Sequence, residues 1–185
     1  MANRPRVSVC MAAHNGAHFI REQVESILGQ LAADDELVVV DDASRDETVA
    51  ILESFSDPRL RVVRQAHNCG ILKSFERALQ EAKGEILFLC DQDDVWRGDK
   101  VAETLKVFDR SAETTLVLSN GELIDGGGSR WGRRCTRGTG SHSACWRISS
   151  RTAIRDRRWP SGARFWTRRF RSRRAFPCTT PGSAW

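Results

Sequence analysis

Short apolar runs alternate with stretches of helical periodicity along the first 128 residues of the chain. The runs predict five strands, Val7–Met11, Glu36–Val40, Leu60–Val63, Glu85–Cys90 and Thr115–Leu118. Between them, apolar side chains recur every three or four residues, as in Ile20, Val24 and Ile27, which predicts a helix after each of the first four strands. Strands that are apolar throughout and separated by helices indicate a parallel sheet covered on both faces.

Polar loops follow three of the predicted strands at the point where each strand ends. These loops are Ala12–Gly16, Asp41–Ser44 and Asp91–Asp94. Open α/β sheets bind their ligands beyond the carboxyl ends of the strands. We therefore expect the three loops to converge on one crevice.

The composition changes abruptly after Gly126-Gly127-Gly128. Residues 129–185 contain 15 Arg, no Lys and one acid, Asp156, for a net charge of +14 against +5 for the whole chain, so residues 1–128 carry −9. The basic pI is thus no evidence of nucleic-acid binding by residues 1–128, and we expect none there. With five Trp but no Leu or Val, residues 129–185 cannot form an ordinary aliphatic core, so we predict a disordered tail and assign it no domain.

Cysteine usage and the absence of targeting signals indicate the compartment. Cys10 and Cys90 lie inside apolar runs, and no Cys or His residues cluster at zinc-ligand spacing, which favours reduced, buried thiols. The N-terminus lacks the apolar core of a signal peptide, and no stretch approaches the roughly 20 apolar residues that span a bilayer. We expect a cytoplasmic protein, and peripheral contact with the inner face of the membrane is left open.

The acidic run at the end of the fourth strand is the strongest candidate for chemistry. Asp91, Asp93 and Asp94 lie within four residues, and carboxylates this close repel one another unless a cation or a proton intervenes. Mg²⁺ or Mn²⁺ takes oxygen ligands from one or two carboxylates and from substrate phosphates. The alternative is an acidic turn that caps the next helix. The position after a buried strand favours a metal site.

The other two loops carry residues with two interpretations each. One of Asp41 and Asp42 is expected to begin a turn towards the next helix, and the other to accept hydrogen bonds from a nucleotide base or ribose. Ser44 has the capping-box spacing to Glu47, which predicts that this helix starts at Ser44. Lys73 either pairs with a diphosphate or is an ordinary solvated lysine.

Several segments resemble the motifs of glycosyltransferase family 2. Residues 7–16 (VSVCMAAHNG) are similar to V-S-V-x-x-P-x-Y-N-G, and residues 37–48 (LVVVDDASRDET) are similar to I-I-V-V-D-D-G-S-x-D-x-T. Residues 68–70 (NCG) follow in the family's order. Residues 91–96 (DQDDVW) resemble the rhamnosyltransferase-like branch of the family. The resemblance covers residues 5–125.

The resemblance implies a GT-A fold and a metal-dependent, inverting transfer in polysaccharide biosynthesis. The donor would be dTDP-rhamnose or a UDP-sugar, and the acceptor a saccharide or a lipid-linked molecule. Asp91 and Asp93 would form the D-x-D motif, with Asp94 as an alternative ligand of the Mg²⁺ or Mn²⁺ ion. The candidate nucleotide-sugar-binding residues are Ala12, Ala13, His14, Asn15, Asp41, Asp42, Lys73, Asp91, Gln92 and Asp93.

The sequence departs from the family pattern at two places. Ala12 or Ala13 replaces the usual Pro and His14 replaces the usual Tyr. The family's general base belongs to a part that follows the resemblance, so no catalytic base is assigned. Two alternatives stay open: a truncated, inactive nucleotide-sugar-binding fragment, and an Mg²⁺-binding domain like that of response regulators. The latter domains carry acids at the end of the first strand, where this chain has Ala12-Ala13.

Two interpretations of residues 129–185 lead to different expectations. A basic arm would bind nucleic acid or acidic lipid, with Arg and Trp stacking on single strands. An out-of-frame translation of a GC-rich gene would over-produce Arg, Gly, Ser and Trp. We favour the second, and we expect one of the other two reading frames past codon 128 to encode a globular continuation. If neither frame does, this interpretation is wrong.

Overall fold

The computed structural model describes residues 6–119, 121–124, 130–134 and 152–155. Strands in that part of the chain are β1 (Val7–Ala13), β2 (Glu36–Asp41), β3 (Leu60–Arg64), β4 (Ile86–Asp91), β5 (Leu116–Leu118), β6 (Glu122–Ile124), β7 (Arg130–Arg134) and β8 (Thr152–Arg155). The helices are α1 (Ile20–Leu28), α2 (Thr48–Glu53), α3 (Ile71–Glu81) and α4 (Lys100–Arg110). None of these helices is long and apolar enough to cross a membrane.

One sheet of six strands organises the molecule, in the order β3-β2-β1-β4-β8-β5. The strands β3, β2, β1 and β4 are parallel to one another, whereas β8 is antiparallel to both β4 and β5. A separate antiparallel pair is formed by β6 and β7. The prediction of a mostly parallel α/β sheet is confirmed.

The two faces of the sheet are covered by different helices. Alternate β1 side chains, among them Val9 and Met11, lie on one face in a core shared with α1, α2 and α4. Cys10 lies on the other face with Ala78 and Ala82 from the α3 side. These two alanine side chains are small, so α3 can lie close to the strands. Burial on both faces explains why the strands are apolar without alternation.

Strand β8 comes from the tail that sequence analysis left without a domain. Its Ala153 is buried in the main core and pairs with Phe88 in the antiparallel register. Arg155 donates from Nη2 to the carbonyl oxygen of Phe108 over 2.7 Å, and its guanidinium lies 5.1 Å from the centre of the Phe108 ring. Four residues, flanked by Arg-rich sequence, were too short a signal to predict this strand.

The helix after β2 starts later than the capping-box spacing predicted. It begins at Thr48, and Ser44 lies in the preceding loop, where its Oγ accepts from the backbone N–H of Asn15. The carboxylate of Asp46 accepts from both the backbone N–H and the hydroxyl of Thr48. The predicted capping box is therefore wrong, because a contact with a distant loop engages Ser44.

Polar side chains on α1 fix the end of β4 and the segment that follows it. Gln23 is fully buried and donates from Nε2 to Sγ of Cys90 over 2.6 Å. One turn later, Oγ of Ser26 accepts from the backbone N–H of Trp96 over 3.0 Å. These two contacts flank the acidic run and attach it to the helix.

Candidate functional site

Strand register brings the polar loops to the carboxyl edge of the sheet. Ala13 of β1 is paired with Asp41 of β2, and Ala12 is paired with Asp91 of β4. The ends of three adjacent parallel strands therefore place one acid on each side of a pair of small residues. The expected convergence of the three loops is present in the structure.

The loop after β1 is held by the connection between β2 and α2. The backbone N–H of Asn15 donates to Oγ of Ser44 over 2.9 Å, and Oδ1 of Asn15 accepts from the backbone N–H of Arg45 over 2.8 Å. The backbone N–H of Gly16 donates to Oγ1 of Thr48 over 2.8 Å. Asn15 has a φ of 48°, a left-handed conformation that asparagine tolerates better than most residues.

His14 links this loop to two further segments. Its ring is exposed, with Nδ1 lying 2.8 Å from the carbonyl oxygen of Asp42 and Nε2 lying 3.1 Å from Nδ2 of Asn15. Nδ2 of Asn68 is 3.2 Å from the same Nε2. Asn68 was not among the candidate site residues in the sequence, and the structure adds it to the site through this contact.

Asp42 uses both carboxylate oxygens to hold the segment before α3. Its Oδ1 accepts from Nε2 of Gln65 over 2.9 Å and from the backbone N–H of Cys69 over 2.7 Å. Its Oδ2 accepts from the backbone N–H of Gly70 over 2.8 Å. Gly70 has a φ of 86°, a value that favours glycine. Because Asp42 is only 3% exposed, these bonds replace the water it loses.

Asp41 has a different environment from its neighbour. Its Oδ2 accepts from the backbone N–H of Ser44 over 3.1 Å, which is the turn expected of one acid in this pair. Its Oδ1 is buried and has no hydrogen-bond partner among the residues that the structure describes. A buried carboxylate oxygen without a partner is costly in the ligand-free protein and is well suited to accept from a bound molecule.

The acidic run places Asp91 in a half-buried position close to two other acids. Burial, and then the nearby charges of Asp94 and Asp93, raise the pKa of Asp91 from its ordinary 3.8 to about 6. Within the described residues, however, no group of three or more His, Cys, Asp or Glu side chains is arranged to hold a metal ion. An ion bound here would therefore need ligands from outside this part of the protein.

Two of the candidate residues have side chains that are engaged with the protein itself. The carboxamide of Gln92 contacts the backbone of His14, accepting from its N–H over 2.8 Å and donating to its carbonyl oxygen over 3.1 Å. Lys73 lies in the first turn of α3, where its ammonium pairs with Glu76 over 2.7 Å. The structure thus brings Gln92 to the loop after β1 and shows Lys73 in a surface ion pair.

The fold and the polar edge define an α/β domain of the GT-A type. Its parallel strands end in acidic and amide side chains at one edge, where nucleotides bind in Rossmann-like sheets. The family model described as glycosyl transferase family 2 matches residues 8–178. The chain belongs to glycosyl transferase family 2. This confirms the family resemblance, although the rhamnosyltransferase-like branch stays a prediction.

Relatives with assigned roles are similar to the chain over about two thirds of its length. The UDP-Glc:alpha-D-GlcNAc-diphosphoundecaprenol beta-1,3-glucosyltransferase WfgD of Escherichia coli is 29% identical over 119 residues, which are 64% of this chain and 47% of WfgD. The succinoglycan biosynthesis protein ExoO of Rhizobium meliloti is 31% identical over 120 residues, 65% of this chain and 34% of ExoO. The chain spans less than half the length of these relatives.

Solved structures of similar fold have been determined with nucleotide sugars bound. The mannosyltransferase PcManGT from Pyrobaculum calidifontis, in complex with GDP-Man and Mn²⁺, has a TM-score of 0.57 and 32% identity over 63% of this chain and 35% of its own. S. aureus TarS 1–349 in complex with UDP-GlcNAc has a TM-score of 0.58 and 28% identity over 61% of this chain and 33% of its own.

The contacts of Asp42 predict a stability effect that is independent of any ligand. Replacement of Asp42 by Asn puts an NH₂ group against backbone N–H groups, so we expect the free energy of unfolding to fall by about 2 kcal/mol. Urea unfolding measures this loss, and faster amide exchange at Cys69 and Gly70 locates it. Glu22→Gln, on an exposed position of α1, is the control. Equal stability of the Asp42 and Glu22 variants would contradict the assigned role.

The raised pKa of Asp91 predicts a stability cost at neutral pH. A carboxyl group with a higher pKa in the folded state binds more protons when folded, so stability falls as the pH rises from about 4 through about 6. Asp91→Asn removes this cost. Allowing for solvent screening, we expect the variant to be more stable than wild type by about 1 kcal/mol near pH 7.5, with the gain shrinking towards pH 4. A gain in unfolding free energy that does not vary with pH would contradict the assignment.

Proposed function

We propose that this chain supplies the donor-binding part of a glycosyltransferase that transfers a sugar from a nucleoside-diphosphate sugar to a saccharide or lipid-linked acceptor. One observation carries the proposal: the carboxyl ends of β2, β1 and β4 place Asp41, Ala12, Ala13 and Asp91 side by side. Family membership supports it, as do the similar structures that hold GDP-Man and UDP-GlcNAc. Residues 1–128 form this donor part in the proposal.

The nucleoside binds at the β1 and β2 side of the edge. Ala12 and Ala13 are small residues at the end of β1, and the exposed ring of His14 follows them directly in the chain. Oδ1 of Asp41, which has no hydrogen-bond partner among the described residues, is the acceptor for a base or ribose donor group. Asp42 acts mainly through the backbone of residues 69–70 in this proposal, since both of its oxygens already accept hydrogen bonds. Asn15 fixes the loop that carries His14.

The diphosphate and a divalent cation bind at the β4 side. Burial, and then the charges of Asp94 and Asp93, raise the pKa of Asp91, and Mg²⁺ or Mn²⁺ would relieve the repulsion among the three acids. Asp91 and Asp93 would hold the ion together with phosphate oxygens, with Asp94 as the alternative ligand. Phosphate oxygens of the donor would complete the coordination of the ion. A bound cation would neutralise charge that develops on the departing nucleoside diphosphate.

The donor and the acceptor are proposed as chemical classes. We favour dTDP-rhamnose or a UDP-sugar as donor, transfer with inversion, and an acceptor that is a growing polysaccharide or a lipid-linked sugar. The lipid-linked option follows the name of WfgD and accords with a cytoplasmic enzyme at the inner face of the membrane. Lys73 enters as a diphosphate ligand only if its ion pair with Glu76 opens. No general base is assigned.

Calorimetry of the whole chain tests donor binding. We expect UDP or dTDP to bind in the presence of Mn²⁺, and Asp93→Ala to abolish this binding because it removes a carboxylate from the ion. Asp109→Ala is the matched control, since Asp109 is an exposed aspartate that pairs with Arg6 away from the strand ends. Binding that is unchanged in the Asp93 variant would contradict the metal assignment. If the wild-type protein binds neither nucleotide, the proposal that this chain binds a nucleoside-diphosphate donor is wrong.

Transfer itself is expected to fail in this chain. We expect purified protein of this sequence to bind donor yet show little or no sugar transfer, because no general base is assigned among its residues. Radiolabelled donor with a lipid-linked or saccharide acceptor measures this. Robust transfer would show that the chain already contains the full catalytic machinery.

A further inference from the structure

Four consecutive backbone N–H groups, those of residues 14–17, each donate to a side chain from another segment. The acceptors for residues 15 and 17 are Ser44 and Asp46, in the connection between β2 and α2, and the acceptor for residue 16 is Thr48, the first residue of α2. The acceptor for His14 is Gln92 of the acidic run. The loop after β1 is therefore held from both sides, and Gln92 provides the attachment on the side of β4.

The Gln92 contact resembles the pairing of two neighbouring strands. Its Oε1 accepts from the N–H of His14 over 2.8 Å, while its Nε2 donates to the carbonyl oxygen of the same residue over 3.1 Å. Two bonds between one planar amide and one residue fix both the distance and the orientation of the partners. Of the side chains in the acidic run, only an amide can make this pair, because a carboxylate cannot donate to a carbonyl oxygen.

Gly16 provides the space that this contact needs. A Cβ atom built at Gly16 would overlap the carboxamide of Gln92, lying 2.5 Å from its Cδ and 2.9 Å from its Nε2 and in contact with its Oε1. Gly16 does not have a positive φ, so the conformation of its backbone does not itself demand glycine. The position of Gln92 is thus the steric reason for glycine here, and a methyl group at residue 16 would displace the carboxamide.

We propose that Gln92 is a positioning residue that fixes the nucleoside-binding loop relative to the acidic run. This inference rests on the proposed function, in which the loop carrying His14 faces the nucleoside and Asp91 and Asp93 face the diphosphate. The loop must contact the nucleoside while the acidic run contacts the diphosphate of the same donor molecule. A displacement of the loop by about 1 Å would therefore weaken donor binding substantially. Gln92 acts through the backbone of His14 and needs no contact with the donor.

Charge explains why such an attachment is needed. Asp91, Asp93 and Asp94 are three acids within four residues, and like charges this close repel one another. Gln92 is the neutral residue among them, so its two hydrogen bonds hold the run against the loop after β1 without adding charge. In the ligand-free protein, these bonds therefore keep the loop and the acidic run in a fixed relative position before donor and cation bind.

Amide hydrogen exchange in the ligand-free, whole chain tests the contact directly. We expect Gln92→Ala to raise the exchange rate of the His14 amide about tenfold, because its acceptor is gone. Gln30→Ala is the matched control. Gln30 also holds another segment through its carboxamide, accepting from the N–H of Val101 over 3.1 Å, but that segment is outside the donor site. An unchanged rate at His14 in the Gln92 variant would overturn the inference, whether or not nucleotide binds.

Gly16→Ala perturbs the same contact from the other side. We expect it to raise exchange at His14 as Gln92→Ala does. We expect the double variant to exchange no faster than Gln92→Ala alone, because the shortened side chain at position 92 leaves space for the methyl group. Gly29→Ala, where a Cβ would meet only the carbonyl oxygen of Glu25 at 3.4 Å, is the control for an added methyl. Additive effects in the double variant would show that Gly16 acts independently of Gln92 and would overturn the inference.

Binding of UDP or dTDP with Mn²⁺ then tests the consequence for the donor. We expect each single variant to bind about tenfold more weakly than wild type and the double variant to match Gln92→Ala. If both single variants bind nucleotide as tightly as the wild-type protein, the positioning role alone is overturned and the proposed function stands. A wild-type chain that binds neither nucleotide would overturn the proposed function, and the positioning role with it.

Discussion

The pairing of β1 with β2 on one side and with β4 on the other is the constraint on which the rest of the structure depends. The two registers align Ala13 with Asp41 and Ala12 with Asp91, so acids from two strands end at one edge. A shift of one residue in either register would turn the buried side chains of β1 to the opposite face. Because both faces are buried against helices, the core that fixes the sheet also fixes the positions of the acids.

The acids at this edge are stabilised to different extents. Asp42 is satisfied by three donors, and it thereby organises the segment that leads into α3. Asp41 is satisfied at one oxygen and has no partner at the other within the described residues. Burial, and then Asp94 and Asp93, raise the pKa of Asp91. The three acids thus differ in their environments, although they lie at the ends of neighbouring strands.

The apolar pattern was sufficient to predict the first five strands, the four helices and the edge where polar loops meet. Those features depend on local periodicity and on the rule that the carboxyl ends of parallel strands lie at the same edge of the sheet. Contacts between distant segments were not predictable in this way. The sequence paired Ser44 with Glu47, whereas the folded chain pairs Ser44 with Asn15. Strand β8 was missed because its four residues lie in a segment dominated by Arg and carry no clear period.

Gln92 illustrates the same limit within the candidate site. The sequence placed it in a D-Q-D-D run, where its neighbours suggested a role on the donor. The fold turns its carboxamide to the backbone of His14, 78 residues away in sequence, and the absence of a side chain at Gly16 makes room for it. Replacing the amide by a carboxylate would add a fourth charge to the run and set an acceptor against the His14 carbonyl. A neutral residue with both a donor and an acceptor therefore meets two requirements at once: it limits repulsion among the acids and fixes the loop beside them.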